Sequence, residues 1–188
     1  ATGDILCMLC TDNYLVDADI FPTVVELFNS FRGLVGVYSK HYHWRRKDNA
    51  LNRYFALIGA NDPIPFYLGK ADRKPWWDNE PDEFMTLMNF EDRVPSLGDN
   101  GFFIRASYFK ETNLDHYYPM DNCEDMRAQG LTTYLRLNRD YIWHRTAENL
   151  ISFMIKRYKY ARDLYSKRSD RRWKMVENFR DWGILFLF

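Results

Sequence analysis

An α/β fold is predicted by three observations at the start of the chain. Residues 5–9 form an unbroken apolar run, as in a buried strand, and it ends in the polar Thr11-Asp12-Asn13. Phe21, Val24, Val25, Phe28 and Phe31 then recur at helical spacing. Gly33 closes that helix, and a second apolar run covers residues 34–38. Strand, helix, strand is one βαβ unit.

The remaining elements follow in order. Asp19 stands where a helix N-cap is wanted, and Pro22 falls in the first turn, where proline is tolerated. Ala50, Leu51, Tyr54, Phe55 and Ile58 align on one helical face. Residues 60–94 are irregular, with Pro63, Pro65, Pro75 and Pro81, and so long an aromatic-bearing connection predicts a functional loop. Gly98-Asp99-Asn100-Gly101 leads into a short strand over 102–105. A short helix is predicted over 124–129, and strands over 134–137 and 141–144. Thr146 then caps an amphipathic helix marked by Ala147, Leu150, Ile151, Met154, Tyr158, Ala161 and Tyr165.

Composition narrows the class. The chain has 188 residues, 46% hydrophobic and 28% charged, which excludes a disordered or low-complexity protein. Basic and acidic side chains balance at 26 each, so charge does not indicate nucleic acid as a partner. Three Cys do not make a disulfide scaffold, which points to a reducing compartment. The aromatic share, 18%, suits a large core with a binding cleft, or a membrane nearby.

Charge is concentrated at one end. Residues 156–174 hold nine cations against Asp163 and Asp170, a net of +7, so the rest of the chain carries −7. The chain closes on the apolar Trp182-Gly183-Ile184-Leu185-Phe186-Leu187-Phe188. A basic stretch before an apolar end fits a segment lying against the cytoplasmic face of a membrane. The expected organisation is therefore one domain over 1–168, then a basic juxtamembrane segment and the start of a transmembrane helix over 169–188.

Three groups of residues can carry chemistry. Asp12 stands at the carboxyl end of a buried strand, where α/β proteins place ligands, and its carboxylate suits a hard divalent cation facing a diphosphate. Asp125, beside Glu124, is placed to serve as a general base on a hydroxyl. Lys156-Arg157-Tyr158-Lys159-Tyr160 interleaves cations and aromatics, as a diphosphate and a sugar or base require. Other patterns fail. Cys7 and Cys10 would point to opposite faces of a strand, and no second pair completes a zinc site. The chain has no Walker A loop, no G-x-S-x-G and no G-x-G-x-x-G.

Taken in order, these pieces resemble the C-terminal two-thirds of a glycosyltransferase family 2 catalytic domain. Ala1-Thr2-Gly3-Asp4-Ile5-Leu6 with Thr11-Asp12-Asn13 is similar to that family's A-x-G-(D/E) segment ending in D-x-D. Gly101-Phe102-Phe103-Ile104-Arg105 with Asn113-Leu114-Asp115 resembles a second segment, and Cys123-Glu124-Asp125-Met126 its E-D motif. Lys156-Arg157-Tyr158-Lys159-Tyr160 sits where many members carry Q-x-x-R-W.

The resemblance implies a partial GT-A fold, a Rossmann-like mixed sheet flanked by helices and lacking the N-terminal nucleotide-binding βαβ half. It implies an inverting transfer of a sugar from a nucleotide-diphosphate donor to a hydroxyl on a glycan or lipid-linked acceptor. Asp125 would be the base and Glu124 its positioning partner. Asp12, Lys156, Arg157 and Lys159 would face the diphosphate, and Asp99, Asn100, Gly101, Trp76 and Trp77 the acceptor. Cys10 replaces the first Asp of D-x-D, which leaves Asp12 with His144 to hold Mg²⁺ or Mn²⁺. The alternative is a glycan- or headgroup-binding module without catalysis on the same scaffold.

Overall fold

The computed structural model describes residues 3–61, 63–67, 69, 71–78, 84–95, 97–110, 119–167 and 169. The readings that fall on Ala1, Thr2, Pro81, residues 113–115, Arg168 and residues 170–188 lie outside the described residues.

Five strands form one sheet in the order β1 (Ile5–Met8), β5 (Phe102–Arg105), β3 (Gly36–Ser39), β6 (Thr133–Leu137) and β4 (Met85–Asn89). β3 and β6 pair in parallel, and the other three pairings are antiparallel. β1 and β3 both run antiparallel to β5 between them, so they are parallel to each other. With helix α1 (Ile20–Ser30) they make the predicted strand-helix-strand unit, split by β5. The protein is thus α/β, a mixed five-stranded sheet flanked by helices.

Alternation along the strands builds both faces of that sheet. Val37, Phe103, Leu135 and Leu137 join one core with Ile20, Val24, Leu27 and Phe28 of α1. Their sequence neighbours Tyr38, Phe102, Ile104 and Tyr134 face the other way, onto Cys123 and Met126 of α5 (Pro119–Ala128). A third cluster holds Phe55 and Ile58 of α2 (Ala50–Ile58) beneath Phe66 of α3 (Pro63–Tyr67). Helix α4 (Ala106–Lys110) follows β5 directly.

Four expectations are corrected. The buried stripe of α1 is Ile20, Val24, Leu27 and Phe28, while Phe21, Val25 and Phe31 are exposed. Spacing i, i+4, i+7, i+8 satisfies the sheet, and the predicted stripe is rotated from it. Asp19 occupies the N-cap of α1 without a side-chain cap bond. Helix α5 starts at Pro119, so Glu124 and Asp125 lie in its second half rather than at its entry. The last helix, α6 (Leu150–Ser166), is capped by Asn149, whose Oδ1 accepts from the Ser152 N–H at 2.9 Å.

Strands β2 (Asn13–Leu15) and β7 (Ile142–His144) pair antiparallel in a small separate sheet, with Asn13 opposite His144. That register positions the site.

Candidate functional site

Three predicted side chains meet where the small sheet and α6 approach. The turn after β1 closes through the Asn13 N–H donating to the Cys10 carbonyl at 3.0 Å. The Arg145 N–H donates to the Asp12 carbonyl at 2.9 Å, which holds that turn against the end of β7. Lys156, 144 residues along the chain, donates to Asp12 Oδ2 at 2.6 Å. His144 Nε2 lies 3.4 Å from the same oxygen. Lys156 also donates to the Thr146 carbonyl at 3.2 Å, so its ammonium is held from two sides. Thr146, read as a helix cap, instead places its hydroxyl 3.0 Å from His144 Nδ1.

The protonation states follow from this geometry. Burial works to raise the Asp12 pKa, but the hydrogen bonds and charges of His144 and Lys156 outweigh it and hold the carboxyl well below the usual range. Burial dominates at His144 and lowers its pKa, against the pull of Asp12. At neutral pH Asp12 is therefore a carboxylate and His144 a neutral imidazole. An acceptor-only carboxylate requires the proton of His144 on Nε2, leaving Nδ1 to accept from Thr146. Asp12 is in ligating form, whereas His144 could take a divalent cation on Nε2 only as the other tautomer, with its proton on Nδ1 towards Thr146. Among the described residues no group of three or more His, Cys, Asp or Glu converges into a fuller set. Further ligands would have to come from outside this cluster.

The loop over 98–101 forms the adjoining wall. The Gly101 N–H donates to the Met8 carbonyl at 2.8 Å, and the Tyr141 hydroxyl donates to the Gly101 carbonyl at 2.8 Å. Gly101 has φ +79°, and a Cβ there would sit 2.1 Å from Cγ1 of Ile142, so only glycine fits. Asn100 is left-handed at φ 51°, and its Nδ2 donates to Asp99 Oδ1 at 2.6 Å. Asn100 Oδ1 is buried with no hydrogen-bond partner among the described residues.

Beneath this loop lies a pair that sequence reasoning missed. Arg73 is fully buried and donates to Asp72 at 2.5 Å, Ser39 Oγ at 3.0 Å, the Tyr42 hydroxyl at 2.9 Å and the Asn100 carbonyl at 2.7 Å. A guanidinium fork can hold two elements and a loop in one geometry. Burial first, then the charge of Asp72, push the Asp99 carboxyl up to about 6, against Arg73 and the Asn100 hydrogen bond. Asp12 raises it further, so the field of the first cluster reaches this loop. Burial also raises the Cys10 thiol, with Asp99 and Asp12 adding to it.

A raised carboxyl pKa means that the folded state binds a proton the unfolded chain has released. Stability then falls as pH rises from about 4 through about 6. Asp99→Asn keeps the oxygen that accepts from Asn100 and removes the buried charge. It is expected to raise the melting temperature at pH 8 and to change little at pH 4. Thermal melts across that range check this, and a gap independent of pH refutes it.

The other predicted residues are spread more widely. Glu124 accepts from the Val94 N–H at 3.2 Å and pairs with Arg127, so both its oxygens are engaged within the fold. Asp125, next on α5, is half-buried. The Trp76 indole donates to the Tyr42 carbonyl at 3.3 Å and stacks on His41 at 4.6 Å, which ties it to the chain that carries Tyr42. Trp77 is exposed beside Phe66. Arg157 lies over Phe153 and Tyr160, and Lys159 is exposed on α6. Of the three predicted cations, Lys156 is the one that reaches Asp12.

No family model matches the chain, and no curated protein or solved structure matches it either.

Proposed function

We propose that this chain carries the diphosphate- and acceptor-facing part of an inverting family 2 glycosyltransferase of GT-A fold. The observation that carries the reading is the meeting of Asp12, His144 and Lys156. These residues come from a strand-end turn, a distant strand and the last helix. The same contacts anchor α6 to the strand-end turn, and they set an anion, an imidazole and a cation where α/β proteins place ligands and where a diphosphate leaving group would need them.

In the proposed reaction the acceptor oxygen attacks the anomeric carbon. The bond from that carbon to the diphosphate breaks, its electron pair leaves with the diphosphate, and the acceptor proton passes to Asp125. Lys156 offsets the charge that grows on the diphosphate. Asp12, with His144 in the tautomer that frees Nε2, would hold Mg²⁺ or Mn²⁺, which would supply Lewis-acid stabilisation of the leaving group. Asp99, Asn100 and Gly101 line the acceptor side. In this reading the basic stretch over 156–174 lies against the cytoplasmic face of a membrane, which its excess of cations supports.

One observation favours binding without catalysis. Glu124, the neighbour expected to position the base, is committed to Val94 and Arg127. The assay that separates the readings is nucleotide release from a panel of UDP- and GDP-sugars by the intact protein, with Mn²⁺ or Mg²⁺. Release is expected, and Asp12→Asn is expected to cut it by at least about 10²-fold. Glycan binding with no release for any donor and acceptor pair supports the module instead.

A further inference from the structure

Helix α6 turns its apolar side to water. Leu150, Ile151, Met154, Ile155 and Tyr158 are 61%, 72%, 62%, 52% and 68% exposed. At positions i, i+1, i+4, i+5 and i+8 they form one stripe. The helix is nevertheless anchored. Phe153 packs on Phe55 of α2 with ring centroids 4.9 Å apart, and Lys156 reaches Asp12. Contacts at 153 and 156 fix the rotation of α6, and the stripe lies on the side turned away from them.

Charge identifies what covers the stripe. Lys159, Arg162 and Lys167 are exposed along the same helix and the turn that ends it, opposed by Asp163, which pairs with Arg162 at 3.7 Å. The sequence continues the excess through Arg168, Arg171, Arg172 and Lys174. A second copy docked here would bring two such basic helices together. An acidic protein would satisfy the cations but leave five adjacent apolar side chains to explain. A bilayer with anionic headgroups satisfies both, with the apolar stripe at the acyl boundary and the cations among the headgroups.

We infer that α6 docks the domain on an anionic membrane surface through Leu150, Ile151, Met154, Ile155 and Tyr158. The docking surface belongs to the folded domain itself, apart from the apolar chain end, and its use does not depend on sugar transfer. Because Lys156 is on the same helix, docking also sets the Asp12 cluster at a fixed distance from the bilayer.

The test is co-sedimentation of the intact chain with phosphatidylcholine vesicles, with and without about one-third phosphatidylserine, at low and high salt. Wild type is expected to bind the anionic vesicles at least about tenfold more tightly than the neutral ones, and less tightly at high salt. Ile151→Glu/Met154→Glu changes exposed positions, so its circular dichroism is expected to match wild type while its binding falls at least about tenfold. Lys159→Glu/Arg162→Glu is expected to lose the preference for phosphatidylserine. The inference is overturned if the Ile151/Met154 variant binds as wild type does, which would assign binding to Trp182–Phe188. It is equally overturned if wild type ignores the vesicles, or if it forms a dimer that the variant breaks.

Discussion

Asp125→Asn is expected to lower donor turnover by about 10²- to 10⁴-fold, the range a positioned general base contributes. The amide has the shape of the carboxyl but cannot take the acceptor's proton. Asp125 lies between Glu124, which is held by Val94 and Arg127, and the buried Met126, so its backbone is fixed by its neighbours. The fold should therefore survive, and the loss should fall on kcat with little change in KM. Asp12→Asn should behave differently. It removes the anion that holds Lys156 at 2.6 Å, so both donor KM and kcat should suffer. Steady-state nucleotide release at varied donor, with melting curves for each variant, separates the two. Near-normal turnover in Asp125→Asn would remove the base from that position. Asp99, with a carboxyl near 6 beside the same cluster, would then be the next residue to test.

The sequence shows the frame of the sheet and the centre of the site through local signals. Residues 34–38 read as a buried strand because an unbroken apolar run needs burial on both faces, and the core clusters on the two sides of the sheet supply it, whereas the run over 5–9 forms the edge strand β1, half-buried along its length with Leu9 exposed beyond it. Asp12 was legible because a carboxylate after such a run falls at a strand's carboxyl end. Lys156 stood out in a stretch that interleaves cations and aromatics, His144 came from the family resemblance, and the structure brings both to Asp12. Signals that depend on distant partners were not legible. Asp72 and Arg73 are adjacent opposite charges in a proline-bearing connection, a pattern that a solvated loop shows equally. Their burial depends on Ser39, Tyr42 and Asn100, which no local pattern links to them. Strand β4 is an edge strand with Leu87 61% exposed, so its alternation is weak. The periodicity of α6 was correct, but periodicity reports a stripe and not which way it faces.

Arg73→Met is expected to cost about 3–5 kcal/mol of stability, as removal of one partner from a buried ion pair does. The methionine fills part of the volume but makes none of the four hydrogen bonds. Ser39, the Tyr42 hydroxyl and the Asn100 carbonyl lose their donor, and Asp72 is left buried without its counter-ion. Burial already raises the Asp72 pKa against the pull of Arg73, so without the guanidinium it will rise further. The sign of the pH dependence follows. A carboxyl whose folded pKa lies above its unfolded one binds an extra proton on folding, so its penalty is small at low pH and grows as pH rises through the folded value. Arg73→Met should therefore sit closest to wild type at the acid end of the pH range and fall further below it as pH rises. Asp72→Asn/Arg73→Met removes the stranded charge, and should recover part of the loss and flatten the profile. Urea unfolding of the three proteins across that range measures all of this. A single variant with wild-type stability, or a deficit that does not change with pH, would mean that Arg73 holds the loop over 98–101 by shape alone.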